Sequence, residues 1–174
     1  MFLPEDLVIV DEYTLKLPSG SNISVPLSQP IFDSWKGTQP EDTYGGKSVL
    51  EYNGEPVFAE ILILRKLQEA GWDGVWVDTF RGKFLNSYYP NREEVEIPEN
   101  CLQLLNKIEN KIGTKSGCFD IYCWKGNEVL FAEAKRQSKD RIRKSQKKWI
   151  EGALATGISR KSLLIVEWSS NSAV

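Results

Sequence analysis

A chain of 174 residues with 41% hydrophobic and 11% aromatic residues has enough apolar material for one core of ordinary domain size, which argues against global disorder. No run reaches the roughly 18 to 20 apolar residues of a membrane span, and the opening MFLPEDLVIVDEY lacks the basic, apolar, small-residue order of a signal peptide. A cytoplasmic, intracellular protein with no membrane partner is expected. There is no histidine, which removes Ser-His-Asp and Cys-His nucleophile systems and imidazole metal sites and leaves carboxylates, lysine, tyrosine or an oxygen-bound metal such as Mg²⁺ or Mn²⁺.

One domain, 1–174, is expected: a β extension and connector over 1–50, a core over 51–168 with an insertion at 81–98, and a tail at 169–174. Residues 7 to 26 alternate around a turn at Pro18 to Ser21 and predict an N-terminal β hairpin. Residues 34 to 54 are polar and contain glycines, so they read as a connector. EPVFAEILILRKLQEAG, with Pro56 in the first turn and Gly71 just past the end, predicts a helix. Its apolar stripe is Val57, Ile61, Leu64 and Leu67, and Glu60 borders that face. DGVWVDTF predicts a strand and RGKFLNSYYPNREEVE a polar insertion, whose Tyr88 and Tyr89 cap the insertion or stack on bases. PENCLQLLNKIENKIG predicts a second amphipathic helix.

GCFDIYCW and EVLFAEAK predict two strands joined at KGN. Alternation groups Asp120, Tyr122 and Trp124 on one face and Phe119, Ile121 and Cys123 on the other. Val129, Phe131, Glu133 and Lys135 likewise share a face, so a two-residue spacing sets a carboxylate beside an ammonium. A helix over 139–156 follows, with Ser138 as N-cap and Ile142, Trp149, Ile150, Ala153 and Leu154 as its stripe. Gln146 falls within that stripe, and a long amide there needs a partner. Beyond Gly157, SLLIVEW is apolar enough for a central strand, and SSNSAV reads as a frayed tail. Cys101, Cys118 and Cys123 form an odd set with no CxxC, so reduced, mostly buried thiols are expected.

The formal charge of −2 conceals a polarity. From Lys135 to Lys148 eight basic residues face one acid, so that window carries +7 and the remainder −9. Alone, such a run is a solvated face. Directly after Glu133 and Lys135 it reads as a phosphate-binding helix, with Arg136, Lys139, Arg141, Arg143, Lys144, Lys147 and Lys148 as the contacts. Asp120 and Glu133 converge at the ends of adjacent strands and repel unless a cation lies between them; without histidine, a divalent metal is the economical one. Lys135 beside that metal would hold or deprotonate an attacking water or donate to developing charge, which fits metal-assisted phosphodiester hydrolysis. Each residue also has a plainer reading. Glu60 suits a helix first turn, Asp120 can terminate a strand, Glu133 and Lys135 can pair at a sheet edge, and Gln146 can bond a local carbonyl.

GCFD, then WKGNEVLFAEAKRQSKDRIRKSQKKWIEGALATG, then LLIVEW resembles the PD-(D/E)XK nuclease superfamily and, within it, the VRR-NUC branch. The residues that carry the likeness are Asp120, Glu133-Ala134-Lys135, Asp140-Arg141, Gln146, Trp149 and Gly157, over about residues 117 to 168. Phe119 stands where that family commonly has proline. The resemblance implies an α/β fold with a restriction-endonuclease-like αβββαβ core, its central mixed sheet flanked by helices, here with an N-terminal β extension. It implies Mg²⁺ or Mn²⁺ bound by Asp120, Glu133 and the Ala134 carbonyl, with Glu60 near or on the metal. It also implies catalytic roles for Asp120, Glu133, Lys135, Gln146 and Glu60 in cleaving DNA, with RNA and a preference for branched, flapped or junction substrates left open. A homodimer or a larger repair or phage complex is open in the same way. The competing expectation is a non-catalytic nucleic-acid-binding or complex-assembly protein that keeps the nuclease fold.

Overall fold

The computed structural model describes residues 2–88 and 90–171. The alternating N-terminal residues pair as expected: β1 (Ile9–Lys16) and β2 (Asn22–Ser28) form an antiparallel hairpin, followed by β3 (Ile31–Asp33). The connector is only partly irregular, because β4 (Leu50–Tyr52) pairs antiparallel with β5 (Glu55–Val57). Their turn is Asn53-Gly54, both at positive φ, as a two-residue hairpin turn requires. Pro56 therefore sits in a short strand of a two-stranded sheet, where its missing N–H costs little, and not in a helix first turn. The first helix, α1 (Ala59–Glu69), starts four residues later than the sequence suggested and ends before Gly71.

β6 (Asp73–Asp78) is followed by β7 (Lys83–Leu85), so the insertion folds back as an edge strand antiparallel to β6. Tyr88 is buried, its ring 4.6 Å from that of Phe58 and its hydroxyl donating to the Pro56 carbonyl, which makes it a cap on the core. Tyr89 lies outside the described residues. Next come α2 (Glu99–Ile112), β8 (Ile121–Lys125), β9 (Glu128–Arg136), α3 (Lys144–Ala155) and β10 (Leu163–Asn171). β10 is longer than expected: Ser169, Ser170 and Asn171 pair with β3 and are not frayed, and 172–174 lie outside the described residues.

The large sheet has the order β1-β2-β10-β9-β8-β6-β7, with β3 also on β10. It is mixed, since β10 runs parallel to β9, β2 and β3 while β8 is antiparallel to both β9 and β6. The strand period divides the core into two layers. Ile121, Cys123, Leu130, Ala132, Leu164 and Val166 pack with α1 residues such as Ile61 and Leu64. Val75, Tyr122, Phe131, Leu163 and Ile165 pack with α2 and α3 through Leu105, Ile108, Trp149 and Ile150. Each of these fully buried large side chains contributes roughly 1.5–3 kcal/mol. Gly152 lets α3 lie close to α2, since a Cβ there would stand 2.2 Å from the Ile112 side chain.

Two sequence expectations fail here. Phe119 does not share a face with Ile121 and Cys123; its ring lies 5.4 Å from Trp149, in the layer of Tyr122 and Phe131. Alternation breaks at Asp120, which precedes β8 and lies outside it. Ser138 is not an N-cap either: it takes a left-handed φ of 61° in a turn, and α3 begins only after Arg143. Cys101, Cys118 and Cys123 are free, the first and last of them buried. Among the described residues no helix is long and apolar enough to cross a membrane.

Candidate active site

The period of β9 aims its side chains. Leu130 and Ala132 face α1 while Phe131 faces α3, so Glu133 and Lys135 continue the α3 side beyond the aromatic layer. They are not a surface pair: Glu133 is 1% exposed and Lys135 7%, with Nζ 2.6 Å from Glu133 Oε1. Gln146, in the first turn of α3, donates its amide to the same oxygen. Its own Oε1 accepts the Arg143 N–H at 2.9 Å, so one amide both caps the helix and holds the carboxylate. The buried Gln146 thereby has the partner its position demands.

Asp120 meets Glu133 through reciprocal backbone bonds. The Asp120 N–H donates to Glu133 Oε2 at 3.1 Å and the Ala134 N–H donates to Asp120 Oδ2 at 3.2 Å. Gly117 makes this approach possible. At φ 95° it passes the first turn of α3, where a Cβ would stand 2.2 Å from the Ser145 carbonyl oxygen.

The facing wall is α1 and the connector. Glu60, in the first turn of α1, pairs with Lys47, whose side chain is 36% exposed against 13% for Glu60. A cleft of about 420 Å³ gathers Glu60, Asp120, Glu133, Ala134 and Lys135 with Lys47. Lys139, Asp140, Arg141 and Arg143 form its rim. Gln146 acts on this cleft through Glu133. An adjoining groove of about 340 Å³ adds Arg136, which stacks over Trp168 at 5.6 Å. Lys144, Lys147 and Lys148 lie on α3 and line neither space. The expected basic helix is thus mainly a basic loop, turned by Asp140 accepting the Arg136 N–H at 2.9 Å.

Burial, then the charges of Glu133 and Glu60, push the Asp120 carboxyl well above the usual range, against the pull of Lys135 and Lys47. Burial alone would lower the Lys47 ammonium, but Glu60, with Asp120 and Glu133 behind it, holds it above the ordinary lysine value. Burial and then the same two acids raise the Cys118 thiol, so it is no thiolate nucleophile.

Among the described residues no group of three or more Asp, Glu, His or Cys side chains closes on a point as a ready metal cage. The donor chemistry fits a smaller site: two carboxylates tied together by backbone bonds, with the Asp120 carboxyl raised by burial and by the neighbouring acids, whose crowding a hard dication relieves. Glu60 shares the cleft, with Oε1 engaged by Lys47.

Sequence reasoning missed two features. Lys47 sits in the glycine-containing connector, where no periodicity predicts which way a side chain points. Arg81 bonds the buried Asp78 at 2.7 Å and its guanidinium lies over the rings of Tyr44 and Phe80, at 5.5 and 5.9 Å, with Phe80 itself 92% exposed. The only signal for Arg81 was the polarity of the insertion it opens. A larger cavity, about 680 Å³, opens at the other end of β9 and includes none of the predicted site residues. Comparison of the chain with protein-family models, with curated proteins and with solved structures finds no match.

Proposed function

We propose that the chain is a Mg²⁺- or Mn²⁺-dependent nuclease that hydrolyses phosphodiester bonds in DNA, built on a restriction-endonuclease-like core. The observation that carries this reading is the buried Glu133–Lys135 pair, held by Gln146 and opening into the cleft that Asp120 and Glu60 line. The order α1, β6, β8, β9, α3, β10, with β10 parallel to β9, supports the core assignment; β7 and α2 are additions to it.

Asp120 and Glu133, with the Ala134 carbonyl, are the residues that would hold the metal. When bound, the ion polarises a phosphoryl oxygen and lowers the cost of making hydroxide from water. Lys135 faces the same space with its ammonium fixed by Glu133, in position to orient a water or to donate to charge developing on the phosphate. Gln146 keeps Glu133 oriented. Lys139, Arg141 and Arg143 on the rim supply phosphate contacts that carry no sequence information.

One observation favours the competing reading of a nucleic-acid-binding or assembly protein: Lys47 already neutralises Glu60. Incubation of plasmid and of labelled duplex, branched and flapped DNA with Mg²⁺, Mn²⁺ or EDTA separates the two. The expected result is metal-dependent cleavage that Glu133→Gln and Lys135→Ala each abolish, with DNA binding changed only a few-fold when both variants are assayed well below their melting temperatures. Cleavage by Lys135→Ala at the parent rate would remove the assigned role of Lys135. Binding without cleavage under any metal would favour the non-catalytic protein.

A further inference from the structure

We infer that Lys47 is the resident counter-ion of the acidic cleft, whose charge a divalent cation displaces when it binds at Asp120 and Glu133. This inference rests on the proposed function.

Inside the rim, the carboxylates of Glu60, Asp120 and Glu133 share the cleft with the ammoniums of Lys47 and Lys135. The two cations differ in what holds them. Lys135 is on β9, paired there with Glu167 of β10, 7% exposed and bonded to Glu133 at 2.6 Å, so it is fixed to a regular element and closed in by its surroundings. Lys47 is on the connector, and the residues before it, Tyr44, Gly45 and Gly46, have φ of 50°, 82° and 91°. Tyr44 packs on Phe58 and Trp76, but Gly45 and Gly46 between it and Lys47 are exposed, and a Cβ at either would meet nothing within 4 Å, so these two residues are not packed against the body. Four groups hold the Lys47 side chain: Glu60 by contact, the Trp76 ring at 5.9 Å, and the more distant charges of Asp120 and Glu133.

A dication placed between Asp120 and Glu133 repels an ammonium that those acids had attracted, and it competes for Glu60. The loop can yield where the strand cannot. The groove beside the cleft is lined by Gly45, Gly46 and Lys47 together with Arg136, Lys139 and Asp140, so the released ammonium would join a mixed but mainly cationic lining that an anion would stabilise. A substrate phosphate lying there would receive it.

The test uses Lys47→Met, Lys47→Arg, Asp120→Asn and the Lys47→Met/Asp120→Asn double variant of the full chain. Thermal melts in EDTA read the counter-ion role, and Mn²⁺ titration by calorimetry reads the displacement. Expected is a lower melting temperature for Lys47→Met than for the parent, a smaller drop when Asp120 is already asparagine, and Mn²⁺ binding tightened by about tenfold. Lys47→Arg, which keeps the charge, should bind Mn²⁺ like the parent and shows that the loop still folds. An equal drop in both backgrounds, or Mn²⁺ affinity in Lys47→Met equal to or below the parent's, overturns the inference while parent binding leaves the proposed function standing. No Mn²⁺ binding by the parent or by Lys47→Met overturns the proposed function and the displacement with it.

Discussion

Glu133 and Lys135 sit on β9, paired there with Ile165 and Glu167 of β10, 1% and 7% exposed, with a helix amide bonded to Glu133. Glu60 and Lys47, across the same cleft, pair between a helix start and a loop, and Lys47 keeps over a third of its side chain in water. The first wall positions charge with regular elements and buried hydrogen bonds, while the second balances charge with a part-exposed lysine on a loop. Similar ion pairs thus carry different energies and different roles according to what holds them.

The largest expected effect tests that difference. Lys135→Met leaves Glu133 buried with amide donors but no cation, and breaking a buried pair costs about 3–5 kcal/mol. Lys47→Met should cost about 1 kcal/mol or less, since its pair is part-exposed. At about 2–4 °C per kcal/mol for a chain of this size, melts in EDTA should separate the two variants by several degrees. Equal losses would erase the distinction between the walls.

Asp120→Asn comes next, and its sign is opposite. The Asp120 carboxyl titrates higher in the folded protein than in the unfolded chain because of burial and then Glu133 and Glu60. Below about pH 4 both states hold the proton and the group contributes nothing. As pH rises from there, the unfolded chain releases its proton first, so stability falls until the raised folded value is passed and stays low above it. Asp120→Asn removes that slope and should melt above the parent near neutral pH by about 1–2 kcal/mol in EDTA, the scale left after two nearby carboxylates are partly screened. A metal needs the ionised form, so parent stabilisation by Mg²⁺ or Mn²⁺ should grow with pH while the variant gains little. A parent whose slope with pH matches that of Asp120→Asn would mean that Asp120 is satisfied without a cation.

The same contrast explains what was legible in the sequence. Glu133 and Lys135 were visible because a strand's period of two is rigid, so four apolar residues before them were enough to set their direction. Gln146 was visible as an amide in an apolar stripe. The start of α3 was not, because Ser138 looks like a cap, whereas the residue in that role is Arg143, whose N–H is satisfied by Gln146 three positions on. Pro56 misled for a related reason, since proline suits both a helix first turn and a short edge strand, and the Asn53-Gly54 turn signal beside it decided the matter. Phe119 was placed by extending alternation past the true start of β8, where the chain already bends toward Trp149. Lys47 had no local signal, because a loop's direction is set by what it packs on.

The smallest effect on stability belongs to the basic segment, and it sharpens the comparison by dividing one charge run between two surroundings. Lys139, Arg141 and Arg143 rim the acidic cleft; Lys144, Lys147 and Lys148 follow on α3 and line neither space. Neutralising either trio with glutamine should change stability by about 0.5 kcal/mol or less, because these are solvent-facing side chains away from the core. The α3 trio should even gain slightly, since cations in the first turn oppose the helix dipole. DNA binding should divide them. Each phosphate left without its cation flattens the dependence of log K on log salt by about 0.9, so the rim trio should lower that slope by roughly 2 to 3 and the α3 trio by about 1 or less. Both should act equally on unrelated duplex sequences, as bonds to phosphate carry no base information. Equal slopes for the two variants would place the DNA across the outer face of α3 and detach the basic run from the cleft, leaving the acids without the phosphate grip that the proposed chemistry needs.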